Sequence, residues 1–360
     1  MKAVVLVGGE GTRLRPLTLT TPKQMLPIAE VPMIERVLGH LEAHGVTEAV
    51  LSLGYRPARF LELFPDDRFG DVALRYAVEP EPLDTAGAIR FAAEAAGVDD
   101  TFLAVNGDVL TDLDITSLVA FHRRRRAEGT IHLTRVDDPS AFGLVSTGAD
   151  GRVAAFVEKG PARDGVDPTI NAGAYVLEPS VLDRIEKGRG VSIERQVFPA
   201  MVEDGTLYAR ESDEYWLDTG TPALYVQAQL DYLDGRRPPP PAPGAHLRAG
   251  AVWVLGEPVI DGLVAGPALV GTAAYVHSGA RVEHSVVGAG ARVGDGAAVR
   301  DSILLPGASV HAGATVEGSV VGENAVIGDR ARVAGLSVIG AGVEIPAGAS
   351  LDGARAPETP

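Results

Sequence analysis

The stretch Val4–Thr18, VVLVGGEGTRLRPLT, decides how the rest of the chain is read. Ala3–Val7 is apolar, too short for a helix, and reads as a buried parallel strand. It breaks into Gly8-Gly9-Glu10-Gly11 and then delivers Thr12, Arg13 and Arg15. Glycines let the backbone turn sharply behind such a strand and bring its N–H groups against a ligand. Two arginines directly behind offer forked donors suited to phosphate oxygens. The residues therefore predict a phosphate-gripping loop at the carboxyl end of a first β-strand. It is neither of the two common glycine loops: G-x-G-x-x-G is not completed, and Gly-Lys-Ser/Thr is missing. The bland alternative is a tight turn carrying two solvated arginines.

Outward from this loop, strand and helix patterns alternate. Met33, Ile34, Val37, Leu38 and Leu41 have helical spacing, and Gly45 reads as a C-terminal stop. Strands are expected at Ala49–Leu53, Val72–Val78 and Phe102–Val105, with helices near Pro57–Phe64 and over Thr85–Ala96. Such alternation means a parallel sheet with right-handed crossovers, and ligands sit at the carboxyl ends of its strands. Gly8, Glu79 and Asp108 all follow strands, so one rim can gather them. From Thr130 the pattern turns to strands at 131–136, 143–146, 153–158 and 172–177, with helices at Pro179–Ile185 and near Ile193–Met201. A last helix covers Pro222–Leu233.

Asp234–His246, DGRRPPPPAPGAH, is a proline-rich spacer favouring extended geometry. It divides a domain over 1–233 from a second over 248–353, with 234–247 as linker and 354–360 as tail. The second domain repeats itself. Blocks such as SVVGAGARV, SILLPGASV and SVVGENAVI start at residues 285, 302 and 319, and the step over six blocks is 17, 17, 17, 17 and 18. Aliphatics recur mostly every six residues, for example Val287, Val293 and Val299. Three short strands per turn with small residues at tight corners is β-helix geometry. The fold class is thus α/β, a Rossmann-like mixed sheet followed by a β-helix.

Composition narrows the partners. The chain has 360 residues and a net charge of −16, which argues against nucleic acid or an anionic membrane. It has no cysteine, so disulfides and thiolate metal sites are excluded. No run approaches membrane-spanning length, and a soluble, cytoplasmic protein is expected. The basic run Arg123–Arg126 follows an apolar helical pattern and reads as a solvated helix end.

The opening stretch resembles the signature of the sugar-1-phosphate nucleotidyltransferases, GGxGTRLxPLT followed by Pro-Lys, here Pro22-Lys23. The repeats resemble the left-handed β-helix of hexapeptide-repeat proteins. The resemblance implies that Val7, Gly8, Gly9, Gly11 and Thr12 cradle the nucleotide, that Arg13 takes up charge on departing pyrophosphate, and that Lys23 bridges the reacting phosphates. Asp108 in VNGDV and Asp218 in WLDTG look like the pair holding Mg²⁺; either alone would read as a turn or cap. Glu79, Thr85 and Gly87 fall in the base-binding segment. Gly143, Glu158, Lys159 and Asn171 fall where the family holds the sugar phosphate.

A carboxylate at Glu79 can accept from both N1–H and the N2 amine of guanine, whereas uracil or thymine would face it with lone pairs. This favours GTP. Asp84 stands where the family usually has glycine, and Gly160 interrupts Glu-Lys-Pro. The likeness is nearest to members that couple GTP with mannose 1-phosphate, giving GDP-mannose and pyrophosphate. Glucose 1-phosphate with thymidine, uridine or adenosine triphosphate remains the alternative, as does a silent relative that senses nucleotide sugars. His277, His284 and His311 read as corner residues of structural coils rather than acyltransferase bases. A homo-oligomer built on the coils is expected.

Overall fold

A computed structural model describes residues 1–54, 57–136, 138–139, 142–157 and 169–358. The chain divides into two compact units. The first is Met1–Gly9 with Ile34–Trp216; the second is Glu10–Met33 with Leu217–Pro360.

In the first unit β1 (Lys2–Leu6), α1 (Met33–Ala43), β2 (Glu48–Leu53), α2 (Pro57–Leu63), β3 (Val72–Val78), α3 (Asp84–Ala95) and β4 (Phe102–Asn106) follow the expected alternation. Ala3, Val4 and Val5 are fully buried, as a strand covered on both faces requires. β1 lies between β2 and β4, parallel to both, with Val4 opposite Val50 and Ala104. β2 is parallel to β3. Gly45 and Gly97 stop their helices with φ of +78° and +58°.

The second half adds α4 (Ile115–Arg125), β5 (Gly129–Arg135), β6 (Leu144–Thr147), β7 (Val153–Val157), β8 (Thr169–Leu177), α5 (Phe198–Glu203) and β9 (Leu207–Glu211). β8 runs antiparallel to β4 and β5, and β9 pairs with β5. The sheet is therefore mixed. Arg123–Arg126 is an exposed helix end, as read. Two predicted helices differ. Pro179–Arg184 is a 3₁₀ turn, and Ile193–Val197 is a π-helical turn that leads into α5. Pro199 then sits in the first turn of α5, where its missing N–H is not needed.

In the second unit α6 (Pro222–Leu233) starts at Thr221, whose hydroxyl accepts from the Leu224 amide. Three parallel sheets then stack coil on coil. Val287 lies opposite Leu304, Leu304 opposite Val321, and Val321 opposite Ile339. The first two steps are 17 residues. The third is 18, and the extra residue is Leu336, held at φ +62° in the corner after Gly335. Val287, Val293, Val299, Val310, Val316, Val321, Ile327 and Val333 point inward and are at most 1% exposed. One corner carries a buried ladder. The Ser285, Ser302 and Ser319 hydroxyls each accept from the next serine's amide at 3.1–3.2 Å and donate to a carbonyl of their own coil.

The compact units do not part at the proline-rich spacer. Tyr225 and Gln229 of α6 bond to the backbone near Pro27, so α6 belongs with Glu10–Met33 and the coils. The coil stack also takes in ends of the expected linker and tail. His246–Arg248 pairs with Val252–Val254, and Arg355–Ala356 with Val338–Ile339. No helix among the described residues is long and apolar enough to cross a membrane.

The corner histidines meet aspartates: His277 lies 3.8 Å from Asp295 and His311 3.9 Å from Asp329. His284 bridges Asp301 at 2.6 Å and Asp234, the cap of α6, at 3.0 Å. Burial alone would depress this imidazole, but the hydrogen bonds and charges of Asp301 and Asp234 outweigh it and raise its pKa. A raised histidine pKa stabilises below the unfolded value of about 6.5 and stops doing so as pH climbs through the folded value. His284→Gln should therefore lower Tm more at about pH 5.5 than at about pH 8.5; equal losses at both would show that the bridge carries no charge. Ser302→Ala leaves the Ser319 amide without its acceptor, while the Arg300 carbonyl keeps the Gly318 amide, and urea unfolding should show a loss of about 1–3 kcal/mol.

Candidate active site

The carboxyl ends of β4, β1, β2 and β3 form one rim of the first unit. Val7 follows β1, is buried, and donates its amide to Ser52 O at 3.1 Å. Gly8 comes next, so close to Gly54 that an added Cβ would lie 3.3 Å from the Gly54 nitrogen. Around Gly9 there is open space. A side chain at Gly8 would thus crowd a neighbouring backbone, while Gly9 leaves room over the strand end. After β4 the chain turns at Gly107, where a Cβ would lie 2.5 Å from Val7 Cγ1, and Asp108 follows at the same rim.

Glu79 follows β3. Its carboxylate accepts from the Ser52 hydroxyl at 2.9 Å and the Leu83 amide at 3.1 Å. Those bonds aim the group, and each carboxylate oxygen retains a further lone pair. A Cβ on Gly8 would lie 3.5 Å from Glu79 Oε1, so the start of the glycine loop and this carboxylate are neighbours. Asp84 stands at φ +55°, the left-handed conformation that a glycine would take without strain. It is held there by Thr85 N at 2.7 Å and by an ion pair with Arg195 at 2.6 Å. Thr85 Oγ1 accepts from the Ile193 amide, and Ala86 and Gly87 donate to Val191 O. An added Cβ on Gly87 would lie 2.6 Å from Arg189 O. Thr85 and Gly87 therefore fasten the start of α3 to 189–193.

Gly143 and Asn171 are brought together: the Asn171 amide donates to Gly143 O at 3.0 Å. The Asn171 side chain donates to Glu194 at 2.6 Å and Tyr175 at 2.9 Å, and accepts from Gly173 N. Burial pushes the Tyr175 phenol well above its ordinary pKa, so it stays protonated. Trp216 donates to Ala172 O at 2.9 Å and meets Phe142 edge-on at 5.5 Å. Glu194 and Trp216 are functional candidates that sequence reasoning missed. Trp216 opens the WLDTG stretch that carries Asp218, but no spacing ties either residue to Asn171. Glu158 and Lys159 lie outside the described residues.

The rest of the signature belongs to the second unit. Gly11 has φ +63°, and a Cβ there would lie 2.9 Å from Thr18 and 3.1 Å from Lys23. Only glycine meets both demands. Three 3₁₀ turns follow, at Thr12–Leu14, Leu17–Leu19 and Lys23–Met25. Thr12 is exposed. The two arginines part company: Arg15 pairs with Glu10 at 3.3 Å, while Arg13 is 64% exposed and lies 4.0 Å from Asp218. The Lys23 side chain is only 5% exposed, and its ammonium sits 3.4 Å from Asp218. That exceeds the ~2.8 Å of a tight charge-assisted bond. The result is a carboxylate flanked by two cations. Gly220 completes it: a Cβ there would lie 2.6 Å from Arg13 Nη2 and 3.0 Å from Asp218 Oδ1.

The nucleotidyl transferase family matches residues 2–235, and the GMPPB C-terminal domain matches residues 264–356. The chain is 42% identical over 299 residues to mannose-1-phosphate guanylyltransferase of Mycobacterium tuberculosis, covering 81% of this chain and 80% of that one. It is 41% identical over 265 residues to mannose-1-phosphate guanyltransferase of Schizosaccharomyces pombe, covering 72% and 71%. The crystal structure of HddC from Yersinia pseudotuberculosis complexed with GMP-PN superposes with a TM-score of 0.56 at 29% identity, covering 64% of this chain and 99% of that one. The chain belongs to the nucleotidyl transferase family, and within it to the mannose-1-phosphate guanylyltransferases.

Gly220→Ala tests the cluster. Its methyl would displace the mobile end of Arg13 rather than a backbone, so Tm should hold within about 2 °C. Turnover should fall about tenfold. Unchanged turnover would show that the Arg13 position against Asp218 is not used.

Proposed function

We propose that this chain joins GTP to mannose 1-phosphate, giving GDP-mannose and pyrophosphate. The observation that carries the reading is the Lys23–Asp218–Arg13 cluster behind Gly11, in a chain whose curated relatives are named mannose-1-phosphate guanylyltransferases. A phosphate oxygen of the sugar phosphate attacks the α-phosphorus of GTP, and pyrophosphate leaves from the opposite side. The nucleophile is already ionised near neutral pH, so positioning and charge neutralisation supply the catalysis.

In this reading Gly8, Gly9, Gly11 and Thr12 offer backbone donors to the triphosphate. Arg13, exposed and forked, takes charge from the departing pyrophosphate. Lys23, nearly dry, holds the two reacting phosphates near one another. Glu79 receives the guanine edge on its remaining lone pairs, and its bond to Leu83 N keeps it aimed. Asp84 supports a guanine pocket by holding the left-handed turn through Arg195. Gly143, Asn171 and Glu194 offer polar contacts to sugar hydroxyls beside the Trp216 ring, and Glu158 and Lys159 complete that end by the family pattern.

Mg²⁺ would be held by Asp108 and Asp218, and when bound it neutralises phosphate charge and orients the triphosphate. The donor chemistry fits a hard ion. Only carboxylate oxygens are offered, there is no thiolate, and among the described residues no three His, Asp or Glu side chains converge on a complete cage. Waters and phosphates would fill the remaining positions. We place the reaction in the cytoplasm, in keeping with a chain that has no cysteine. Exposed Leu247, Val259 and Leu263 on the first coils support self-association through the solenoid.

The deciding experiment is a grid of four nucleoside triphosphates against mannose and glucose 1-phosphates, read as pyrophosphate release. GTP with mannose 1-phosphate should exceed every other pair by at least about tenfold in kcat/KM. A higher value with thymidine or uridine triphosphate would overturn the guanine assignment to Glu79.

A further inference from the structure

Pro27–Ile28 and Val31–Pro32 form a two-stranded hairpin whose tip is Ala29–Glu30. Both tip residues have positive φ, +45° and +70°. Two-residue hairpins of this shape favour Asn-Gly or Gly-Gly, because a Cβ is strained there. Strain of that kind persists only where the surroundings over-determine it. Here they do so from two sides. From α6, Gln229 accepts from the Ala29 amide at 2.6 Å and donates to Pro27 O at 2.6 Å, while the Tyr225 hydroxyl also donates to Pro27 O. From the coils, the Ala289 amide donates to Glu30 Oε2 at 2.8 Å. Gly271 makes the notch for that bond: a Cβ there would lie 2.6 Å from Ala289 N and 2.7 Å from Glu30 Oε2.

The hairpin is joined directly to the catalytic cluster. At its base the Leu26 amide donates to Lys23 O, and the Met33 amide donates to Leu26 O. Met33 sulfur accepts from the hydroxyl of Thr219, the residue after Asp218. The hairpin also borders a cavity of about 240 Å³ lined by Leu17, Met25, Pro32, Leu305 and Glu323. Packing does not wedge it on that side, and a released hairpin has somewhere to go.

We propose that Glu30 is a positioning residue: its grip on the Ala289 amide uses the solenoid to set where Lys23 and Asp218 stand. Burying this carboxylate is unfavourable, and burial raises its pKa against the partial offset of the Ala289 bond. Glycine would suit the backbone at φ +70° better and cost no desolvation. A glutamate here is therefore explained by the tether and not by the turn. The coils, on this account, are part of the catalytic apparatus, because they fix the far end of the segment that carries the lysine.

The test uses the full-length protein as wild type, Glu30→Gly and Glu30→Gln. One readout is steady-state turnover, which rests on the guanylyltransferase reading. The other is the rate at which acetic anhydride labels Lys23, followed by mass spectrometry, which does not. Glu30→Gly relaxes the turn and removes the tether, so kcat should drop about tenfold with KM for both substrates within about twofold. Lys23 should label about tenfold faster, as a locally loosened site does. Glu30→Gln keeps a side-chain carbonyl for Ala289 and should stay within about twofold of wild type in both readouts. Unchanged Lys23 labelling in Glu30→Gly, or equal damage in Glu30→Gln, would overturn the proposal. If wild type itself releases no pyrophosphate, the functional reading fails while the labelling ratios still decide the tether.

Discussion

An ammonium group with almost no access to water must have a negative partner, and Lys23 has Asp218. Stranding a buried charge by removing its partner costs about 3–5 kcal/mol. The position of Asp218 is therefore a condition on the second unit as well as a feature of its chemistry. The pair is loose at 3.4 Å, with Arg13 standing off at 4.0 Å.

The second unit is arranged to keep that pair in place. Gly11 brings the loop against Thr18 and Lys23 with a backbone shape closed to other residues. Helix α6 holds the hairpin stem through Gln229 and Tyr225. The coils underneath are stiff for a simple reason. Each turn buries its aliphatics, and each buried serine closes the backbone bond of the next turn. A dry, fully paired corner leaves few low-cost distortions.

Where the sequence departs from its family's pattern, the fold accommodates the change by local chemistry. Asp84 occupies a left-handed position and compensates with its own Thr85 amide bond and the Arg195 pair. Leu336 absorbs the one longer repeat step in the same way, in a corner with positive φ. Asparagine and aspartate tolerate that region; leucine is there because the coil register on either side leaves it no alternative.

The alternation of strand and helix, the coil repeat, and the glycine loop were legible from residue order, because each depends on neighbours a few positions apart. Glu79 and Asp108 could be assigned to one rim on the same ground, since both follow parallel strands. Helix type at Pro179–Arg184 and Ile193–Val197 was not, because apolar spacing does not distinguish the hydrogen-bond step of one short turn from another. Nor could the order of residues show that Arg13 rather than Arg15 faces Asp218, that Glu194 meets Asn171, or that Glu30 reaches Ala289, 259 positions away. Local pattern determines which elements form and which chemistries the chain possesses. Which side chains become partners is settled only when distant segments are packed together, because a hydrogen bond or ion pair depends on distance in space and not along the chain.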